Sequence, residues 1–287
     1  MKKTLSLALA LTMALSLAAC GNSGGSSSSA PADASGSSSQ ANSSTSSSSA
    51  NTESDLAYVQ DKGTLVVGIT EFEPMDYQNT DGEWIGFDAD LAKEFAESLG
   101  VTVEFQLIDW DNKVMELDGK TIDVVWNGMT LTEDVLAAME CSQPYLINQQ
   151  VVVVPADVAE DYQTEESLAD LNFAVEIGSA GCEVAQANGY SYTEVADQAT
   201  ALLEVASGTA DAAIIDSLMA GAMIGEGTSY ADMTSTVALT SEEYGVGFRK
   251  GSDLAAALNE FLSSKYADGS IQTLAETYGV QDALVQE

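Results

Sequence analysis

Twice along the chain a helical segment ends, passes through a glycine to an aspartate, and enters a short apolar run. ELDGKTIDVVWNG, from Glu116, is the first instance and EVASGTADAAIID, from Glu204, the second. An echo of this kind predicts two similar structural halves. The first series contains LVVGI (Leu65 to Ile69), FDADLAKEFAESLG (Phe87 to Gly100), VTVEFQLI, DNKVMEL and IDVVWNG (Ile122 to Gly128). The second begins after QQVVVV (Gln149 to Val154). It runs through NFAVEI (Asn172 to Ile177), a helix from about Cys182, SYTEV, a helix near Leu202 and ADAAIID (Ala210 to Asp216). Short β-branched runs alternating with helical segments predict an α/β layer structure. In the first helix Phe87, Leu91, Phe95 and Leu99 recur every fourth residue, so one face packs on a sheet, and Gly100 supplies the stop. A last strand, YGVGF (Tyr244 to Phe248), and helices over Asp253 to Tyr266 and Ser270 to Tyr278 belong to one of the halves.

Before Asp55 the composition changes. Gly21 to Ser54 holds 16 serines and no aromatic or large aliphatic residue, so it has nothing with which to bury a core and is expected to be a disordered spacer. Its 34 residues have an r.m.s. reach of about 30 Å at Gly/Ser-like stiffness. Ahead of it, Lys2 and Lys3 precede an apolar stretch from Leu5 to Leu17 that ends in LAAC at Leu17 to Cys20. A basic start, an apolar middle and small residues at the cut make a secretory signal. The stretch is shorter than the roughly 20 residues of a spanning helix. LAAC resembles the bacterial lipobox, in which cleavage leaves a lipidated cysteine as the first residue. Residues 1–19 are therefore expected to be a signal peptide and 20–54 a linker lipidated at Cys20.

Asp55 to Glu287 hold 43 of the 45 acids and seven of the nine bases, and the chain carries a formal charge of -36. Such a surface repels phosphate backbones and anionic headgroups, which argues against nucleic-acid partners and electrostatic membrane docking. The chain has no histidine, which removes Ser-His-Asp and Cys-His catalysis and most catalytic zinc sites. Asn79, Asp81, Gly82 and Asp88 partly imitate a calcium loop. The first ligand position is Tyr77 and the last an aspartate, so a turn over Asn79 to Gly82 is the expected reading. Cys141 and Cys182 lack a framework pattern and are expected as buried thiols, although the compartment permits a disulfide. No phosphate loop or dinucleotide fingerprint is present, and neither a cofactor nor a metal is expected.

The order of GTLVVGIT, DGEWIGFDADLAKEFAESLG, IDVVWNGMTLT, SQPY (Ser142 to Tyr145), GTADAAIIDSLMAG and YGVGFRKGSDLAAALNEFLSSKYADGSIQTLAETYG resembles the polar amino-acid branch of the bacterial extracellular solute-binding proteins. The resemblance covers Gly63 to Val280. It implies a two-lobe α/β fold of the type II periplasmic-binding-protein kind, with a ligand cleft between lobes joined by a two-segment hinge. Lobe one is expected over 55–148 and 237–287, and lobe two over 149–236. It also implies a monomeric, non-enzymatic receptor on the outer face of the cytoplasmic membrane, which captures an amino acid and docks on an ABC-transporter permease.

Residue by residue, the resemblance places Trp110 where the family stacks an aromatic on the ligand, with Phe72 on the other side of the cleft. Asn127, Gly128 and Thr130 match positions that contact the ligand's charged head, and strand ends are where ligands sit in α/β lobes. Trp126, next to Asn127, faces the opposite side and is expected in the core. Gly178, Ser179 and Ala180 lead from a strand into a helix, whose free N–H groups and dipole suit a carboxylate. Asp216 matches the aspartate that pairs with the ligand's ammonium. Val135 stands where the family usually carries an arginine that grips the ligand carboxylate, leaving Thr130, the helix start at Ser179 and Lys113 for that task. This departure keeps open a cationic amine or other solute without a carboxylate. A third reading, a cyclohexadienyl-type dehydratase, needs a carboxyl of raised pKa from Glu71, Glu73 or Glu176.

Overall fold

The computed structural model describes residues 54–286. The expected signal peptide and Cys20 lie outside the described residues. The described part forms one compact unit built on two sheets. The first has the strand order Thr102–Leu107, Thr64–Ile69, Val124–Thr130, Glu242–Phe248, Glu140–Cys141, and Leu146–Asn148 also pairs with Glu242–Phe248. The second has the order Ser191–Val195, Asn172–Glu176, Ala212–Asp216, Gln150–Pro155, Met233–Ala238. In the first sheet Thr64–Ile69 pairs in parallel with Thr102–Leu107 and Val124–Thr130, and Glu242–Phe248 runs antiparallel to its neighbours. In the second, Asn172–Glu176 pairs in parallel with Ser191–Val195 and Ala212–Asp216, and the first strand, Gln150–Pro155, runs antiparallel to its neighbours.

The helical period written in the sequence is the one that packs. Phe87, Leu91 and Phe95 of the helix Phe87–Ser98 are wholly buried, and Phe95 meets Trp126 edge-on with ring centroids 6.2 Å apart. Trp126 thus faces the core, away from the cleft, as strand alternation requires. Gly86 enters this helix at a φ of 131°, and a Cβ there would meet the carbonyl oxygen of Met75 at 2.1 Å. Helix ends are closed by ordinary means. Ser54 and Asp197 accept from the N–H groups of Ala57 and Thr200, at 3.0 and 2.6 Å, and Gly63, Gly189 and Gly208 adopt the left-handed conformation after the last turn.

The chain leaves the first sheet after Asn148 and enters the second at Gln150. It returns between Ala238 and Glu242. Met233–Ala238 pairs with Gln150–Pro155. The segment Asn79 to Gly82 is a turn, with the Asn79 side-chain oxygen accepting from the N–H groups of Asp81 and Glu83 at 2.9 Å each. Cys141 and Cys182 are free thiols.

A buried ion cluster ties the chain ends of the first half together. Arg249 donates to Asp55 at 2.9 Å and to the carbonyls of Leu117 and Ile122 at 3.2 and 2.8 Å, and lies 3.5 Å from Asp123. Lys62 reaches the other oxygen of Asp123 at 2.5 Å. Three charged contacts, Arg249 to each acid and Lys62 to Asp123, thus offset the desolvation of the two carboxylates, the condition for a buried ion pair to be tolerated.

Candidate functional site

The strand ends at Asn127–Thr130, Glu176 and Asp216 converge on one cleft, with about 420 Å³ of space including its open mouth. Phe72, Trp110, Gly178, Ser179 and Ala180 line it as well. All nine expected ligand-site residues therefore border the same space, together with Lys113 and Val135.

Asp216 is the most elaborately held of them. Its carboxylate accepts from the side-chain amides of Asn148, Gln150 (2.7 Å) and Gln198, and its own N–H donates to Gln198 at 2.8 Å. The Asn148 and Gln150 amides also donate to Glu242, each at 2.8 Å, and so bridge the two acids at the crossing between sheets. Burial, and then the nearby Glu242 charge, push the Asp216 carboxyl up to about 7. Three amide donors fix its orientation, and the charge of the pair is offset by a proton or by a bound cation.

Glu176, at the end of Asn172–Glu176, is 3% exposed. Burial chiefly, and the neighbouring Asp216 and Asp197, push it up to about 8. Three residues on, Ser179 caps the helix Ala180–Asn188 by accepting from the Cys182 N–H at 3.1 Å. The N–H groups of Ala180 and Gly181 lie in the first turn, where a helix offers them no acceptor. Together they give the cleft a positively polarised edge.

Across the cleft, Trp110 opens a short helical turn and is 7% exposed. The Lys113 ammonium lies 4.8 Å from its ring centroid and donates to the carbonyls of Trp110 (3.2 Å) and Gly178 (2.9 Å). Burial lowers the pKa of Lys113, against the raising effect of Glu176, Asp111 and Glu183. Val135 packs with Trp110 and Met139 at the cleft wall, so the position of the family's arginine presents only methyl groups.

Several of the expected polar contacts are already committed. The Asn127 side-chain oxygen accepts from the N–H and hydroxyl of Thr70, at 2.9 and 2.8 Å, and its amide donates to Asp76 at 2.8 Å and to the Thr70 carbonyl at 3.1 Å. This side chain braces the cleft floor. The Gly128 N–H donates to Asp88 at 2.7 Å, and the Thr130 hydroxyl donates to Glu242 at 2.8 Å. Gly128 has a φ of 55°, and a Cβ there would meet the Phe72 ring at 2.6 Å, so it sets how closely that aromatic approaches. Of the three acids expected for a dehydratase, only Glu176 lines the cleft.

Sequence reasoning missed Thr70, Met129, Thr132, Glu183 and Gln198 in the lining, and Asn148, Gln150 and Glu242 around Asp216. Gln198 is the first residue of a helix and Glu242 the first of a strand, positions that carry no local signal of function.

Comparison with known proteins agrees with this geometry. The chain is 29% identical over 230 residues to the L-cystine-binding protein TcyJ of Escherichia coli (strain K12), covering 79% of this chain and 86% of that protein. An ABC uptake transporter substrate-binding protein from Streptococcus pneumoniae, solved with bound histidine, superimposes with a TM-score of 0.74 at 28% identity, over 82% of this chain and 99% of the other. An ancestral amino acid-binding protein, AncCDT-1, described as a precursor of cyclohexadienyl dehydratase, matches with a TM-score of 0.72 at 31% identity, over 78% and 99%. The family model for bacterial extracellular solute-binding proteins, family 3, matches residues 65–281. On its sequence and its two-lobe fold, the chain belongs to that family of extracytoplasmic solute-binding proteins.

Proposed function

We propose that this protein is a lipid-anchored receptor that captures an amino acid between its lobes and delivers it to an ABC importer. The observation that carries the reading is the pairing, within one cleft, of the buried Asp216 carboxylate with the helix start at Ser179 and the Lys113 ammonium. An acid and a positively polarised edge match the ammonium and carboxylate of an α-amino acid. The likeness to an ABC uptake protein that holds histidine supports transport as the use of capture.

In this reading 1–19 is the signal peptide, Cys20 carries the lipid, and 20–54 spaces the receptor from the outer face of the cytoplasmic membrane. Residues 55–148 with 237–287 make one lobe and 149–236 the other, and the monomer closes as a population shift driven by the ligand. No helix among the described residues is long and apolar enough to cross a membrane, which leaves anchoring to the lipid.

Val135 favours a second reading, a cationic amine without a carboxylate, because the cleft has more buried acids than bases. A thermal-shift screen that sets amino acids beside their decarboxylated amines separates the two. Stabilisation by amino acids supports capture as proposed, whereas stabilisation by amines alone transfers the site to the second reading. Conversion of a cyclohexadienyl-type substrate would replace capture with catalysis.

A further inference from the structure

Glu176 has a property that ammonium binding at Asp216 does not use. It is buried at the end of its strand, it lines the cleft, and its Oε1 has no hydrogen-bond partner. A buried carboxylate oxygen without a donor is unfavourable, and polar atoms in such a position are normally satisfied by protein, water or ligand. The one cation nearby does not satisfy it. Among the described residues no ion pair joins Lys113 to Glu176, and the Lys113 ammonium donates instead to two carbonyls, those of Trp110 and Gly178. Gln198, whose amide donates to Asp216, also faces Glu176. The two acids therefore share one amide and stand on neighbouring parallel strands.

We propose that Glu176 makes the cleft selective for a ligand with two cationic groups, receiving the second while Asp216 holds the first. The inference rests on the ligand cleft of the preceding section. It adds the ligand class, a dibasic amino acid. One ammonium placed at Asp216 leaves Glu176 unpaired, whereas a side-chain ammonium or guanidinium supplies the missing donor and the missing charge. The groups that face Glu176 are Asp216, Asp197, Lys113 and Gln198. With two acids and one committed lysine around it, the empty cleft favours a protonated Glu176, and a second cation displaces that proton on binding.

Titration calorimetry of the protein and of Glu176→Gln tests this, with arginine set against its uncharged isostere citrulline, lysine against norleucine, and agmatine as arginine without its carboxylate. Wild type is expected to prefer the dibasic member of a pair by at least about 30-fold, as for breaking a buried charge pair. It is also expected to release more protons when that member binds than when its uncharged isostere does, read from the dependence of heat on buffer. In Glu176→Gln the preference and the extra protons released with the dibasic member should disappear, with circular dichroism showing that the variant is folded. Equal affinity for charged and uncharged members, equal weakening of both by the substitution, or no binding of arginine, lysine or agmatine overturns the proposal. Binding of agmatine without arginine upholds Glu176 and sinks the amino-acid reading. Binding of neutral amino acids without dibasic ones does the reverse.

Discussion

The Lys113 ammonium donates across the cleft to the carbonyl of Gly178 at 2.9 Å, so one hydrogen bond joins the two lobes beside the expected carboxylate site. Gly178 is suited to this contact. Its φ is 68°, and a Cβ would come within 2.9 Å of Asp111 Oδ1 on the facing lobe. Replacing Lys113 by Met keeps the stem over Trp110 and removes the charge. Lys113→Met should weaken binding of a carboxylate-bearing ligand by roughly 10- to 100-fold, the loss of one charge-assisted bond of about 1.5–3 kcal/mol. It should leave the decarboxylated amine unaffected or better bound. Equal loss for both ligands in calorimetry would remove Lys113 from the carboxylate site.

The buried acids set a pH dependence. A carboxyl whose folded pKa lies above its unfolded value binds its proton more tightly in the folded state. Its stabilising effect is full below the unfolded pKa and is lost as pH rises through the folded one. Asp216 and Asp88 are raised from 3.8 to about 7 and Glu176 from 4.5 to about 8, chiefly by burial. The ligand-free protein should therefore lose stability across about pH 4 to 8, with its melting temperature several degrees lower at the alkaline end, on the order of 5–10 °C. Glu176→Gln should flatten the upper part of that slope. A profile from the variant that parallels wild type between about pH 6 and 8 would show that Glu176 does not contribute.

Away from the cleft, Arg249 should matter to stability and not to binding. Its guanidinium holds Asp55 and Asp123, both buried, and two carbonyls. Arg249→Ala leaves those acids without their shared cation, a loss of about 3–5 kcal/mol. Urea unfolding should show this as a lower midpoint, while ligand affinity at low denaturant stays at the wild-type value.

Much of the fold was legible because local pattern and tertiary demand agree. The fourfold spacing of Phe87, Leu91 and Phe95 is the buried face of a helix, and Gly100 sits in the left-handed conformation at the stop its position suggested. Asp216 was legible because a carboxylate ending an apolar strand has few other uses. The support around it was not. Asn148, Gln150, Gln198 and Glu242 come from four separate segments and meet only when the chain has crossed between the sheets twice. Asn127 lines the cleft as the resemblance implied, and what the strand end could not show is that Asp76, wholly buried nearby, accepts from its amide.

The proposed lipid anchor at Cys20 has a simple test. Cys20→Ser should release the protein from the membrane fraction into the medium or periplasm while leaving ligand binding by the soluble protein unchanged. Retention on membranes washed with high salt and carbonate would require another attachment, because the net charge of -36 disfavours a peripheral electrostatic one.

The central claim is that Asp216 holds the ammonium of an amino acid, and it is tested most directly by calorimetric titration of Asp216→Ala with the amino acid that binds wild type most tightly. Removing a buried partner of a ligand charge should weaken binding by at least about 30-fold, while circular dichroism still reports a folded α/β protein. Wild-type affinity in the folded variant would contradict the account.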